Sequence, residues 1–146
     1  MGTIIRKQNW PILLDNYFIK RIDTPFRHGR HDCCISAIRA VHSFTGVNLH
    51  EGIKKYKNEK EAEELKKKYG GILGIAEAAA KIHELEEINP KKASGGDIVV
   101  LAQEIDGKIF HSLGTVSLDG RFVYGARSPK GWSKSPASNI IKAWKI

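Results

Sequence analysis

Residues 24–36 read Thr24-Pro25-Phe26-Arg27-His28-Gly29-Arg30-His31-Asp32-Cys33-Cys34-Ile35-Ser36, and two physical facts decide how they fold. Pro25 drives the residue before it out of the α region, so a helix reaching this point stops at Asp23-Thr24. Asp32 is a strong N-cap residue, and Ile35, Ile38, Val41 and Phe44 then recur on one helical face with Cys34 and Ala37 beside it. A helix is therefore predicted over 32–44, with Gly46 as its left-handed C-terminal cap. Cys33 falls in its first turn.

Working outward toward the N-terminus, Asn9, Trp10 and Pro11 open an earlier helix, with a capping side chain and a proline in the first turn. Trp10, Leu13, Leu14, Tyr17, Phe18 and Arg21 continue it as an apolar stripe. Toward the C-terminus, an amphipathic helix is predicted over 58–69, ended by Gly70-Gly71, and an Ala-rich buried one over 72–82. After Pro90 the period changes from helical to strand-like. Residues 97–103 and 108–118 read as strands, Asp119-Gly120 as a hairpin turn, 122–124 as a third strand and 140–146 as a last one. N-terminal helices followed by a small antiparallel sheet make an α+β fold, and no repeat or linker divides the single domain expected over 1–146.

Composition bounds the function. A chain of 146 residues with 41% hydrophobic and 27% charged residues is ordinary for a globular domain. The apolar run at 72–80 is too short to span a membrane, and Pro11, Asp15 and Asn16 interrupt any leader-like core, so neither a membrane span nor a signal peptide is expected. The net charge of +8 favours polyanions or an acidic partner. Residues 121–146 carry six Lys or Arg and no acid. Without interleaved aromatics this reads as a solubility or docking feature rather than a nucleic-acid site. Cys33 and Cys34 are adjacent and point about 100° apart on a helix, so a bond between them would be strained. No second Cys pair or short-spaced His completes a metal site, and no metal or cofactor is expected.

A nucleophilic cysteine needs its thiolate, which a helix N-terminus favours through unpaired N–H groups and the dipole. Arg30 and His31 add positive charge near Cys33, while Asp32 opposes the thiolate. Cys34, on the apolar side, reads as a small buried hydrophobe.

The Pro25-Phe26-Arg27-His28-Gly29 and Asp32-Cys33 segments resemble the nucleophile region of NlpC-type papain-like cell-wall cysteine peptidases, and Gly96-Asp97-Ile98-Val99-Val100 is similar to that family's Gly-Asp strand. The resemblance implies a papain-like, NlpC-type fold with Cys33 as nucleophile, and with Phe26, His28 and Asp32 lining the substrate cleft. A closer resemblance, covering nearly the whole chain, is to a phage domain family of unknown function encoded among tail-tip genes. It rests on Trp10-Pro11, the Gly29-Arg30-His31-Asp32-Cys33-Cys34 core, Tyr56 in a helical middle, the 96–100 strand and the closing Ala143-Trp144-Lys145-Ile146. This implies a virion protein of the phage tail, made in the bacterial host cytoplasm, with tail hub and tip proteins as partners and peptidoglycan as substrate.

The base is the weak point. The peptidase pattern His-apolar-Gly-apolar aligns with Ser112-Leu113-Gly114-Thr115, so Ser112 takes the histidine's place and His111 lies one residue early. Alternation along a strand then aims His111 away from Cys33 unless a β-bulge redirects it. His31 is a substitute base, though its place in a tight turn suits packing. On the following strand only Tyr124 is available to orient a base. Two functions remain: cleavage of peptidoglycan stem peptides during genome delivery, or a catalytically inactive adaptor binding hub proteins, for which Trp132 and Trp144 are candidate anchors.

Overall fold

The protein is described by a computed structural model over residues 4–128 and 131–146. Four helices come first: α1 (Trp10–Arg21), α2 (Cys33–Thr45), α3 (Glu59–Tyr69) and α4 (Ile72–Ile82). Six strands follow: β1 (Glu86–Ile88), β2 (Ile98–Ile105), β3 (Lys108–Val116), β4 (Phe122–Gly125), β5 (Ser133–Pro136) and β6 (Ile140–Lys145). They form one antiparallel sheet in the order β1-β6-β2-β3-β4-β5, so the fold is α+β.

The helix boundaries follow local chemistry. Asp32 caps α2 by accepting from the Ile35 N–H at 2.8 Å, and Gly46 at φ +79° ends it in the left-handed region. Asn58 caps α3, while the Glu61 side chain reaches back to the Lys57 N–H. At α1 the expectation fails: the Asn9 side chain makes no capping bond, and the helix begins on backbone bonds and Pro11 alone. The strands β1 and β5 were not predicted. Each is only three or four residues long, polar, and at an edge of the sheet, where too few side chains are buried to show alternation.

The sheet is apolar on both faces, and the two faces serve different clusters. Ile98, Val100, Leu113 and Trp144 pack with Leu14, Phe18, Cys34, Val41 and Phe44 beneath the helices. Val99, Leu101, Val116, Val123 and Ala143 form a second cluster on the far face, covered by Ile88, Ala93 and Ala137. The C-terminal strand β6 lies inside the sheet between β1 and β2, because its residues are buried toward both faces. Trp144 is therefore core, and Trp132 packs against His31 and Tyr124, so neither is an exposed anchor. Exposed apolar side chains lie instead on α1 (Ile12, Ile19) and on β3 (Ile109, Phe110).

Asp97 of the Gly-Asp segment is fully buried. It accepts from Arg6 at 3.1 Å, from the Ile146 N–H at 3.1 Å and from the Ser94 N–H at 3.0 Å. Arg6 also donates to the Gly95 and Ile146 carbonyls and lies 4.2 Å over the Trp10 ring. This joint fixes the start of β2, and with it the height of the sheet relative to α2.

Candidate active site

The site is organised around Asp32. Besides capping α2, its carboxylate accepts from the Gly29 N–H at 2.8 Å and from the Tyr56 hydroxyl at 2.7 Å. Three chain segments therefore meet on one buried anion: the 27–31 turn, the start of α2 and the loop before α3. The turn itself is closed by paired backbone bonds between Arg27 and His31. Gly29 is required there, since its φ of +80° is left-handed and a Cβ would collide with the Tyr56 carbonyl. Expected in a helical middle, Tyr56 lies in the loop between α2 and α3.

Cys33 opens α2 directly above this joint. It is partly exposed while Cys34 is buried, and both thiols are free. Cys33, Asp32, Phe26 and His28 line one small pocket of about 60 Å³ together with Tyr56 and Lys66. Phe26 and His28 meet edge to face with ring centres 4.9 Å apart, forming one wall. The expected cleft residues are thus brought together, though Asp32 supports the wall rather than offering a free carboxylate.

The two thiols share protons unequally. A hydrogen bond from Cys34 holds Cys33 below the usual thiol range, helped by the Leu113 backbone and opposed by burial and Asp32. The same bond, with burial, pushes Cys34 well up, so of the two thiols Cys33 gives up its proton first. Lys66 acts on both in the direction of the thiolate. At the helix start, Asp32 satisfies the Ile35 and Ser36 N–H groups, while those of Cys33 and Cys34 have no acceptor among the described residues. Two donors at the helix start are therefore unspent.

His31 is not free to act as base. It is 3% exposed, its Nε2 lies 2.7 Å from the Gly131 carbonyl, and its ring stacks on Trp132. A carbonyl only accepts, so Nε2 carries the proton. Burial lowers the imidazole's proton affinity, which keeps the ring neutral. Its role is to bind the 27–31 turn to the segment before β5.

His111 is placed differently from the sequence expectation. The β2–β3 register runs unbroken from Ile98↔Thr115 to Ile105↔Lys108, with no bulge. Leu113 faces the helices, so His111, two residues earlier, is on that same face, and Ser112 is on the opposite one. The offset therefore puts His111 rather than Ser112 on the helix-facing side of the sheet, while the pocket lined by Cys33 does not include it. Leu113 packs with the helices while Val116 packs in the cluster on the far face, and alternation from these two residues fixes the side of His111. The His111 ring is exposed and makes no hydrogen bond among the described residues. Tyr124 meets Phe18 at a tilt and stacks on Trp132, and no hydrogen bond joins it to a histidine among the described residues.

Sequence reasoning missed Lys66, Leu113 and the Gly131-Trp132 contact as parts of the site. Lys66 left a signal, because it shares the inward face of α3 with Ala62 and Leu65, an unusual place for a lysine. The other two depend on long-range packing and left none. Among the described residues no group of three or more His, Cys, Asp or Glu could hold a metal ion, and no helix is long and apolar enough to cross a membrane.

No curated protein matches this sequence. The family described as Domain of unknown function (DUF6950) matches residues 5–146, nearly the whole length over which the Asp32–Cys33 site and the sheet beneath it are built, and the chain belongs to that family.

Proposed function

We propose that this protein is a cysteine peptidase or amidase of papain-like, NlpC-type fold, carried at the tip or hub of a phage tail and cleaving an amide of the peptidoglycan stem peptide. The observation that carries the reading is Cys33, its thiolate favoured, lining a pocket from the first turn of α2, with His111 on the sheet face that packs under that helix. The pocket walled by Phe26 and His28 supports it, as does the order of cysteine helix, Gly-Asp strand and histidine strand.

In this mechanism His111 takes the Cys33 proton and the thiolate attacks the scissile carbonyl. The Cys33 and Cys34 N–H groups hold the resulting oxyanion. His111 returns its proton to the leaving amine, which departs as the C–N bond breaks and a thioester forms. Water, deprotonated by His111, then cleaves the thioester, releasing the acid and restoring the thiol.

One observation favours a second reading, an inactive adaptor that binds hub proteins. No described residue orients His111, and Ile109 and Phe110 beside it are 66% and 51% exposed, as a protein contact would have them. Release of soluble fragments from purified peptidoglycan, by the wild type and by Cys33→Ala, separates the two. Release that disappears in the variant supports the enzyme. No release by well-folded wild type across a range of pH removes it and leaves the adaptor.

A further inference from the structure

The cysteine pocket uses one side of the Asp32 joint, and a second cavity lies on the other. Ile35, Ile38, Arg39 and His42 fall at helical spacing and form one stripe along α2. The chain leaving α2 turns back over this stripe through Asn48, His50, Lys55 and Tyr56, bounding an open concavity of about 340 Å³ whose Arg39, His42, Asn48 and Lys55 side chains are exposed. That volume is within the roughly 300–1,000 Å³ of small-molecule sites. Of the residues lining the cysteine pocket, only Tyr56 also lines this one.

Its chemistry is one-sided. Ile35 and Ile38 give an apolar floor, while Arg39, Lys55, His42 and His50 surround it, and no Asp or Glu lines it. Neither Arg39 nor Lys55 forms an ion pair among the described residues. Asp32, behind the wall made by Gly29 and Tyr56, is already occupied by three donors. The Asn48 Oδ1 accepts from the His50 N–H at 3.0 Å, which leaves the Asn48 amide N–H groups as unspent donors. Burial keeps the His50 ring neutral, so it too offers hydrogen bonding rather than charge. Two cations, the His42 imidazole and a free amide line one concavity that no Asp or Glu lines.

We propose that this cavity is a binding site for a phosphate group, with Arg39 as the forked donor, Lys55 as the second cation and Asn48 and His42 completing the oxygen shell. A guanidinium fork matches two phosphate oxygens, and a second cation suits a dianion better than a carboxylate. The Ile35–Ile38 floor would accept the carbon body of a phosphate ester. The site does not depend on the cysteine chemistry and stands whether or not Cys33 is active.

The test is titration with inorganic phosphate and, separately, with glycerol 3-phosphate, following heat of binding and the His42 ring resonances. Arg39→Gln/Lys55→Gln is compared with Lys108→Gln/Lys145→Gln, which loses the same charge from exposed lysines elsewhere. The cavity variant is expected to bind on the order of tenfold more weakly or worse, and the control variant close to wild type. Cys33→Ala should bind unchanged. Tighter binding of glycerol 3-phosphate identifies an ester as the ligand, and equal affinity identifies free phosphate. No saturable binding to wild type, or equal weakening in both double variants, overturns the site. Displacement of the His42 resonances in wild type locates the ligand even if the cavity variant does not fold.

Discussion

At the scale of single residues, Asp32 does more for structure than for chemistry. It caps α2 and is also the shared acceptor for Gly29 and Tyr56, so its removal leaves a buried hydroxyl and two N–H groups unpaired. Asp32→Ala should cost about 2–4 kcal/mol, seen as a lower urea midpoint with unchanged slope. His31 gives a pH signature. Its folded-state proton affinity is lowered, so the unfolded chain binds more protons at mildly acidic pH. Its contribution is then complete above the unfolded value, about 6.5, and is lost as pH falls below it toward the folded value. His31→Phe, which retains a ring against Trp132, should flatten the fall in stability over that window by up to about 1.4 kcal/mol per pH unit. An unchanged slope in denaturation curves at pH 7.5 and 5.5 would contradict the neutral, carbonyl-bound imidazole.

At the scale of elements, the proposed chemistry divides between α2 and β3. In that proposal the helix start supplies the sulfur and two free N–H groups, and the strand supplies the histidine. Because β3 alternates, His111 and Ser112 make opposite predictions. His111→Ala should lower peptidoglycan cleavage by about 10²–10⁴-fold with little change in folding, while Ser112→Ala should leave it near wild type. The reverse result would mean that β3 is shifted by one residue from the register of Ile98↔Thr115. The turn that delivers α2 depends on a glycine. Gly29→Ala meets both the cost of a left-handed backbone and the Tyr56 carbonyl, and thermal unfolding should report a loss of more than about 2 kcal/mol.

At the scale of the whole molecule, the Arg6–Asp97 joint ties the segment before α1, the start of β2 and Ile146 into one point. Asp97 is fully buried, so removing it strands a cation that is itself largely covered. Asp97→Ala should cost about 3–5 kcal/mol by denaturant unfolding, far more than loss of the exposed Lys66–Glu63 pair, which should change stability by less than about 1 kcal/mol. The Gly-Asp segment therefore reads as a structural joint that sets where β3 lies under α2, and its effect on the site passes through that placement.

What the sequence determined was local. The four helices are visible because their signals lie within a few residues of one another: Pro25 as a stop, Asp32 as a cap, Gly46 as a left-handed end, Gly70-Gly71 as a break, and apolar side chains at helical spacing. The same holds for β2, β3 and the Asp119-Gly120 turn, and for Cys33 in a first turn. Tertiary structure decided what depends on partners distant in the chain. The side chains of β1 and β5 are too few to show a pattern, and those strands exist because β6 and β4 offer them an edge. The fate of His31 was decided by a carbonyl 100 residues away, and that of Trp132 and Trp144 by the core they enter. The face of His111 follows from Leu113 packing with the helices and Val116 with the far cluster, an arrangement that arises only when helix and sheet are packed together.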